Sequence, residues 1–267
     1  MKRVVTFYFS PTGTTEKVVM EIASALADKE GCGMVHHDFT LPAGREAYPD
    51  FREGDIIIAG VPVYAGRVPN VLLKYLSGLK GNGAKAVAVV LYGNRAYDDA
   101  LLELRDILKH GGFNVMGAGA FIGEHSFSYD LAKGRPNEGD LELAREFASR
   151  LDFDSGYGPE DLDIYGNPDY KEYYKPLDEE GKPVDIRRVQ PKTGNACIDC
   201  KICVKVCPMG SIPHGNVKIL TGICIKCGAC IKKCPVEAKY FDDPDYLRHK
   251  WELEEEFKDW KLPEFFV

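Results

Sequence analysis

Cysteine is nearly missing from the first three quarters of this chain: of nine in 267 residues, only Cys32 precedes position 197. A disulfide framework is therefore excluded over that region, because one thiol has no partner there. No run approaches eighteen consecutive apolar residues, and residues 1 to 20 show no apolar signal core behind the basic start. A membrane-crossing helix and a secretory leader are not expected, and a cytoplasmic location is. Excess basic charge is missing too, since the net charge is -7 and no nucleic-acid motif accompanies the lysines, so nucleic acid is not an expected partner. The glycine-containing loops have neither a Gly-Lys-Ser or Gly-Lys-Thr ending nor a dinucleotide fingerprint. Cysteine-histidine and serine-histidine constellations for hydrolysis are likewise absent.

The remaining eight cysteines crowd into 38 residues, Cys197 to Cys234. They read Cys-x2-Cys-x2-Cys-x3-Cys-Pro twice, and each cysteine of the first set has a counterpart 27 positions later. A zinc ribbon would use two cysteine pairs rather than two quartets, and a disulfide set would suit a secreted chain. The run resembles that of bacterial ferredoxins, where the fourth cysteine of each set ligates the other cluster. That resemblance implies two [4Fe-4S] clusters, one on Cys197, Cys200, Cys203 and Cys234, the other on Cys224, Cys227, Cys230 and Cys207. Pro208 and Pro235 turn the chain away after each fourth cysteine.

Charge is segregated along the chain. Residues 152 to 191 carry eleven acids and five bases, residues 192 to 240 two acids and eight lysines, and residues 242 to 267 nine acids and four bases. Length allows one or two domains, and the confinement of the cysteines favours two. Part of the lysine excess would neutralise the clusters, and the rest would hold the acidic flanks.

The first domain opens with the strand-like run RVVTFYF at 3 to 9, then SPTGTT at 10 to 15, then a segment with apolar residues at 18, 19, 22, 23 and 26, which is helical spacing. Strand, hydroxyl-rich loop and helix present amides and a positive dipole end to a phosphate; a plain hydroxyl-rich helix cap is the alternative. DIIIAGV at 55 to 61 and AKAVAVVLY at 84 to 92 are continuous apolar strands of the kind buried in parallel sheets. Each leads into a loop, PVYAGRVP and GNRAYDD, at the strand end where ligands of open α/β sheets bind. Residues 34 to 38 and 113 to 122 supply two further strands, and 69 to 79, 97 to 110 and 138 to 151 three helices. Pro42 and Pro49 argue against a full helix between strands two and three.

The loop Ser10, Thr12, Gly13, Thr14 and Thr15 resembles the phosphate loop of flavodoxins. The resemblance implies FMN: its phosphate on those residues, its ring between Tyr64 and Tyr97, Ala65 and Gly66 close to N5, and Tyr92, Gly93 and Asn94 toward the pyrimidine edge. Arg67 and Arg95 depart from the acidic surroundings usual there, so each either favours reduced flavin or faces solvent. The loop 124 to 137 is longer than its connection requires, and His125, Ser126 and Arg135 are candidates to cover the flavin or meet a partner.

These expectations define a flavodoxin-like domain (1–151) with a doubly wound parallel five-stranded sheet, a tyrosine-rich acidic arm (152–192) lying on both domains, a small α+β 2[4Fe-4S] ferredoxin domain (193–241), and an acidic amphipathic tail (242–267) whose Leu247, Trp251, Phe257 and Trp260 would dock on the protein. The whole chain resembles the flavodoxin–ferredoxin fusions called EFR1-family ferrodoxins, with PVYAGRVP and YGNRAYDDALLEL like that family's signature loops. The resemblance implies an electron-transfer flavoprotein linking FMN, the two clusters and an external redox partner. The alternatives are a reductase in which FMN acts on a small organic substrate and a redox-sensing interaction protein.

Overall fold

In the computed structural model, which describes residues 2–154 and 162–267, a parallel sheet forms the body of the chain. Part of the acidic arm, 155–161, lies outside the described residues. Chain order is β1 (Arg3–Tyr8), α1 (Thr14–Glu30), β2 (Gly33–Asp38), β3 (Asp55–Pro62), α2 (Asn70–Leu76), β4 (Lys85–Tyr92), α3 (Ala100–His110), β5 (Asn114–Ile122) and α4 (Glu138–Arg150). Then follow the short elements β6 (Lys192–Thr193), α5 (Ile202–Lys205), α6 (Ala229–Lys232) and β7 (Lys239–Tyr240), and finally α7 (Pro244–Glu256) and β8 (Glu264–Phe266). Only a 3-10 turn, Pro42–Arg45, stands between β2 and β3.

The sheet order is β2-β1-β3-β4-β5-β8, with the first five strands parallel. This is the flavodoxin-like doubly wound order, whose direction reverses at β1 and so opens a crevice at the carboxyl ends of β1 and β3. β3 and β4 are buried almost throughout because helices cover both of their faces. One face packs Val18, Ile22 and Leu26 of α1 with Phe147 of α4. The other packs Leu72 and Leu76 of α2 with Leu101, Leu104 and Leu108 of α3, around stacked Phe7 and Phe39.

A sixth strand extends the five anticipated. β8 runs antiparallel to β5, pairing Phe266 with Ala118 and Glu264 with Ala120. The fifth strand would otherwise present unpaired amides and carbonyls at a sheet edge, and the chain terminus covers them. The helical part of the tail buries Tyr246, His249 and Leu253, whereas Leu247 and Trp251 are exposed; beyond it Phe257 is half-buried and Trp260, exposed on one face, lies with its other face 3.9 Å from the guanidinium of Arg135. The spacing of three and four along α7 selects the first set, a face the tryptophans obscured.

The cysteine segment folds as two short helices, α5 and α6, and the two-stranded β6–β7 ladder. It is joined to the sheet domain by a small apolar group in which Phe127, from the loop after β5, packs against Tyr246 with ring centroids 4.6 Å apart. Arg45 adds a second tie by donating to the Pro208 carbonyl, at 2.5 Å. No helix among the described residues is long and apolar enough to cross a membrane.

Candidate cofactor sites

The turn between β1 and α1 is organised from within. Ser10 Oγ accepts the Glu16 N–H at 2.9 Å, and the Ser10 N–H is donated to Thr40 Oγ1 at 2.8 Å. Gly13 then sits at φ 92°, a left-handed position that costs glycine nothing, and starts α1 without a side chain of its own to cap it. The hydroxyls of Thr12 and Thr14 lie 3.4 Å apart, and Thr15 Oγ1 is buried with no partner among the described residues. A buried orphan hydroxyl costs about 1–3 kcal/mol, and the remaining free amides and dipole of a helix start attract an anion. Both features fit a phosphate.

Thr12, Thr14 and Thr15 form one wall of a cleft at the strand ends. Tyr64 from the loop after β3 forms a second, Tyr92 and Gly93 at the end of β4 a third, and Gly123 to Ser126 after β5 a fourth. The last wall is Cys227. Burial, and then the neighbouring Cys227 and Cys224, hold the Tyr64 hydroxyl well above its usual pKa. Burial, followed by Glu264, pushes Tyr92 up to about 12. Both phenols are therefore neutral donors at ordinary pH.

The other loop residues singled out by sequence lie around the cleft rather than on it. Ser10 and Gly13 shape the first loop. Ala65 and Gly66 form a tight turn closed by Tyr64 and Arg67, whose main chains exchange hydrogen bonds at 3.0 and 3.1 Å. The Ala65 carbonyl accepts the Tyr174 N–H from the arm at 3.0 Å, and the missing Cβ of Gly66 makes room for the Asp98 side chain. The Asn94 amide donates to the carbonyl of Asp259 at 2.9 Å and to that of Phe257, so it anchors the C-terminal segment. Tyr97 is buried and donates its hydroxyl to Glu264 at 2.7 Å.

Both loop arginines are engaged. Arg67 pairs with Glu103 through two hydrogen bonds of 2.6 and 2.8 Å and lies over the rings of Tyr170 and Tyr173, 4.7 and 5.0 Å from their centroids. Arg95 pairs with Asp98 and lies 4.7 Å over Tyr174. The arm tyrosines thus fasten the second and third loops through their arginines, a purpose that neither residue type announces in the sequence.

The eight clustered cysteines line two separate cavities. Cys197, Cys200, Cys203 and Cys234 line one, and Cys207, Cys224, Cys227 and Cys230 the other, each quartet taking its fourth member from the opposite half of the run. Main-chain N–H groups point at the sulfurs: Ser211 to Cys207 at 3.3 Å and Ala238 to Cys234 at 3.2 Å. The positive φ of Lys201 and Gly228, each just ahead of a short helix, bends the loops around their cavities. Burial pushes the Cys227 thiol up to about 12 and Cys230 upward as well, a cost that coordination removes because a metal-bound thiol is deprotonated. The ammonium of buried Lys239 opposes that shift at Cys203, Cys224 and Cys230. Among the described residues no three His, Cys, Asp or Glu side chains converge closely enough for a single metal ion. A four-iron cube instead takes each thiolate at its own corner, which suits side chains spread around a cavity.

Cys227 is shared: it lines both the second cysteine cavity and the strand-end cleft. Sequence spacing gives no hint of this, because the contact depends on how the loop after β5 meets the cysteine segment. A separate cavity of about 780 Å³ lies between the third loop, the arm and the terminus, lined by Tyr92, Tyr97, Tyr165 and Glu264 among others. Tyr92 is common to it and the cleft.

Residues 192–235 match the model of a family described as a 4Fe-4S dicluster domain. Among solved structures, Flavodoxin 2 from Bacillus cereus is 21% identical, covering 56% of this chain and 96% of its own, with a TM-score of 0.41. A flavodoxin from Streptococcus pneumonia TIGR4 is 19% identical, covering 56% of this chain and 97% of its own, at 0.40. A Fusobacterium nucleatum flavodoxin bound to flavin mononucleotide is 19% identical, covering 56% and 96%, at 0.38. Likenesses of that size carry no weight beside the strand order itself. No curated protein matches the chain.

Proposed function

We propose that the chain is an iron-sulfur flavoprotein of electron transfer, with FMN in the strand-end cleft, a [4Fe-4S] cluster on each cysteine quartet, and an external redox partner. The observation that carries this is Cys227, one residue walling both the cleft and a cysteine cavity. A flavin supplies two-electron chemistry and each cluster one-electron chemistry, so the pair joins the two kinds of traffic.

The residues take distinct parts. Thr12, Thr14 and Thr15 with the start of α1 hold the phosphate, and Tyr64, Tyr92 and Gly93 border the ring. The cleft has about 50 Å³ of open space, so holding a planar ring requires part of its lining to move. Cys207, Cys224, Cys227 and Cys230 hold the cluster beside the flavin; Cys197, Cys200, Cys203 and Cys234 hold the farther one. Cys200 and the adjoining Ile198 are exposed, which makes the farther cluster the one a partner reaches. This assignment keeps the cofactors and cysteine quartets that the resemblance to flavodoxin–ferredoxin fusions implies, and departs from it at Tyr97, Ala65, Gly66 and Asn94, which lie off the cleft.

Anaerobic purification with iron, sulfide and flavin quantified tests the proposal. About eight irons and one FMN per chain are expected; four irons or none, or no flavin, would contradict it. A second reading, reduction of a small organic substrate, is favoured by the 780 Å³ cavity that shares Tyr92 with the cleft. That volume is within the usual range for ligand pockets. Turnover of candidate acceptors by the reduced protein separates the two.

A further inference from the structure

His125 belongs to the long loop after β5, and its ring is held from several sides. Its Nδ1 accepts the Phe127 N–H at 3.1 Å. The Phe127 ring meets it edge-on, with centroids 5.3 Å apart and planes at 81°. Its main chain is fixed by hydrogen bonds of 3.1 Å to the Leu131 carbonyl and from the Ser128 N–H. The ring edge lies where a Cβ on residue 93 would be, which explains glycine there.

The protonation state follows from the surroundings. Burial, then the nearby His249 and Lys232, lower the pKa to about 3, so the ring is neutral at ordinary pH. Because Nδ1 is used as an acceptor, the single ring proton is on Nε2. His125 lines the cleft together with Thr14, Tyr64 and Cys227, and its Nε2 has no partner among the described residues. It is also not sealed off, in contrast to the orphan Nδ1 of His249.

We propose that His125 is a fixed Nε2–H donor to the flavin bound in the cleft, and that by favouring the more electron-rich, reduced form it raises the flavin's reduction potential. A donor held in place, and covered from water once the flavin sits against it, strengthens as its acceptor gains negative charge. This rests on the cofactor assignment proposed above.

The test compares His125→Asn and His125→Gln with the wild-type holoprotein. Asn keeps an acceptor for the Phe127 N–H but loses the donor at the Nε2 position, whereas Gln places an amide N–H there. The readout is the flavin midpoint potential by anaerobic spectroelectrochemistry, with iron, sulfide and FMN contents measured on each sample. H125N is expected to lower the ratio of reduced-FMN to oxidised-FMN affinity roughly tenfold, moving the midpoint to more negative values, and H125Q to restore most of it. Equal flavin midpoints in the three proteins, an H125Q shift as large as that of H125N, or a shift confined to the clusters would overturn the proposal. Absence of FMN from the wild type would overturn the cofactor assignment itself. His125→Leu adds a second variant without a donor should H125N fail to fold, with the same expected shift.

Discussion

The carbonyl of Ser126 lies against Gly228 so closely that a Cβ on the glycine would be 2.5 Å from its oxygen. These residues follow His125 and Cys227, the two cleft walls contributed by the loop after β5 and by the cysteine segment. Gly228 is also at φ 74°, where a side chain is strained. The absence of one methyl group thus permits the close approach of the strand-end cleft and the second cysteine cavity.

Gly228→Ala should therefore separate the sites without dismantling either. Left-handed strain alone costs about 1–2 kcal/mol, and the overlap with a main-chain oxygen adds to it. We expect full iron and FMN content but electron exchange between flavin and clusters slowed by roughly tenfold or more, read by anaerobic rapid mixing. Unchanged exchange would show that the Ser126–Gly228 contact does not set the coupling.

Thr15→Val removes the buried hydroxyl that has no partner among the described residues. Stability should stay level or rise slightly, because an unsatisfied group is lost, while FMN affinity should fall about tenfold with the loss of one hydrogen bond to an anion. Urea unfolding of the flavin-free protein reads the first, and its calorimetric titration with FMN the second. Equal affinity would place the phosphate elsewhere.

Asp55, at the start of β3, is buried and bonded to Arg3 at 2.7 and 2.8 Å and to the Arg52 N–H at 2.9 Å. Burial pushes its pKa up, but the bonds from Arg3 and Arg52 outweigh this and leave it below the ordinary 3.8. A depressed carboxylate stabilises the fold above its unfolded pKa, and the contribution is lost as pH falls through the folded value. Asp55→Asn should cost about 1–2 kcal/mol at pH 7 in urea unfolding, as expected when a buried carboxylate loses charge-assisted bonds to a part-exposed arginine, and the gap to wild type should narrow below about pH 4. A gap constant down to pH 3 would contradict the ion-pair account.

The sequence made some of these relationships plain and hid others, for physical reasons. Eight cysteines at fixed spacing fix a ligand pattern locally, and the two cavities gather the quartets that this pattern implies. Continuous apolar runs such as DIIIAGV identify buried parallel strands because both faces are covered. β8 could not be read in the same way: three residues pairing with β5 more than 140 positions away carry no periodicity of their own. The surroundings of Tyr97 were hidden for the same reason, since Glu264, which accepts its hydroxyl, belongs to that strand. Arg67 and Arg95 looked like candidates for the flavin because the aromatic partners that hold them come from the distant arm. His125 was visible only as part of a loop longer than necessary.

The most direct test of the account is whether electrons pass between the two cofactor sites within one molecule. Oxidised holoprotein would be mixed anaerobically with less reductant than fills all its sites, and the flavin and cluster absorbances followed at several protein concentrations. The shared wall at Cys227 predicts that both signals relax together at a rate independent of protein concentration. Relaxation whose rate rises in proportion to concentration, or two signals that never equilibrate, would contradict it.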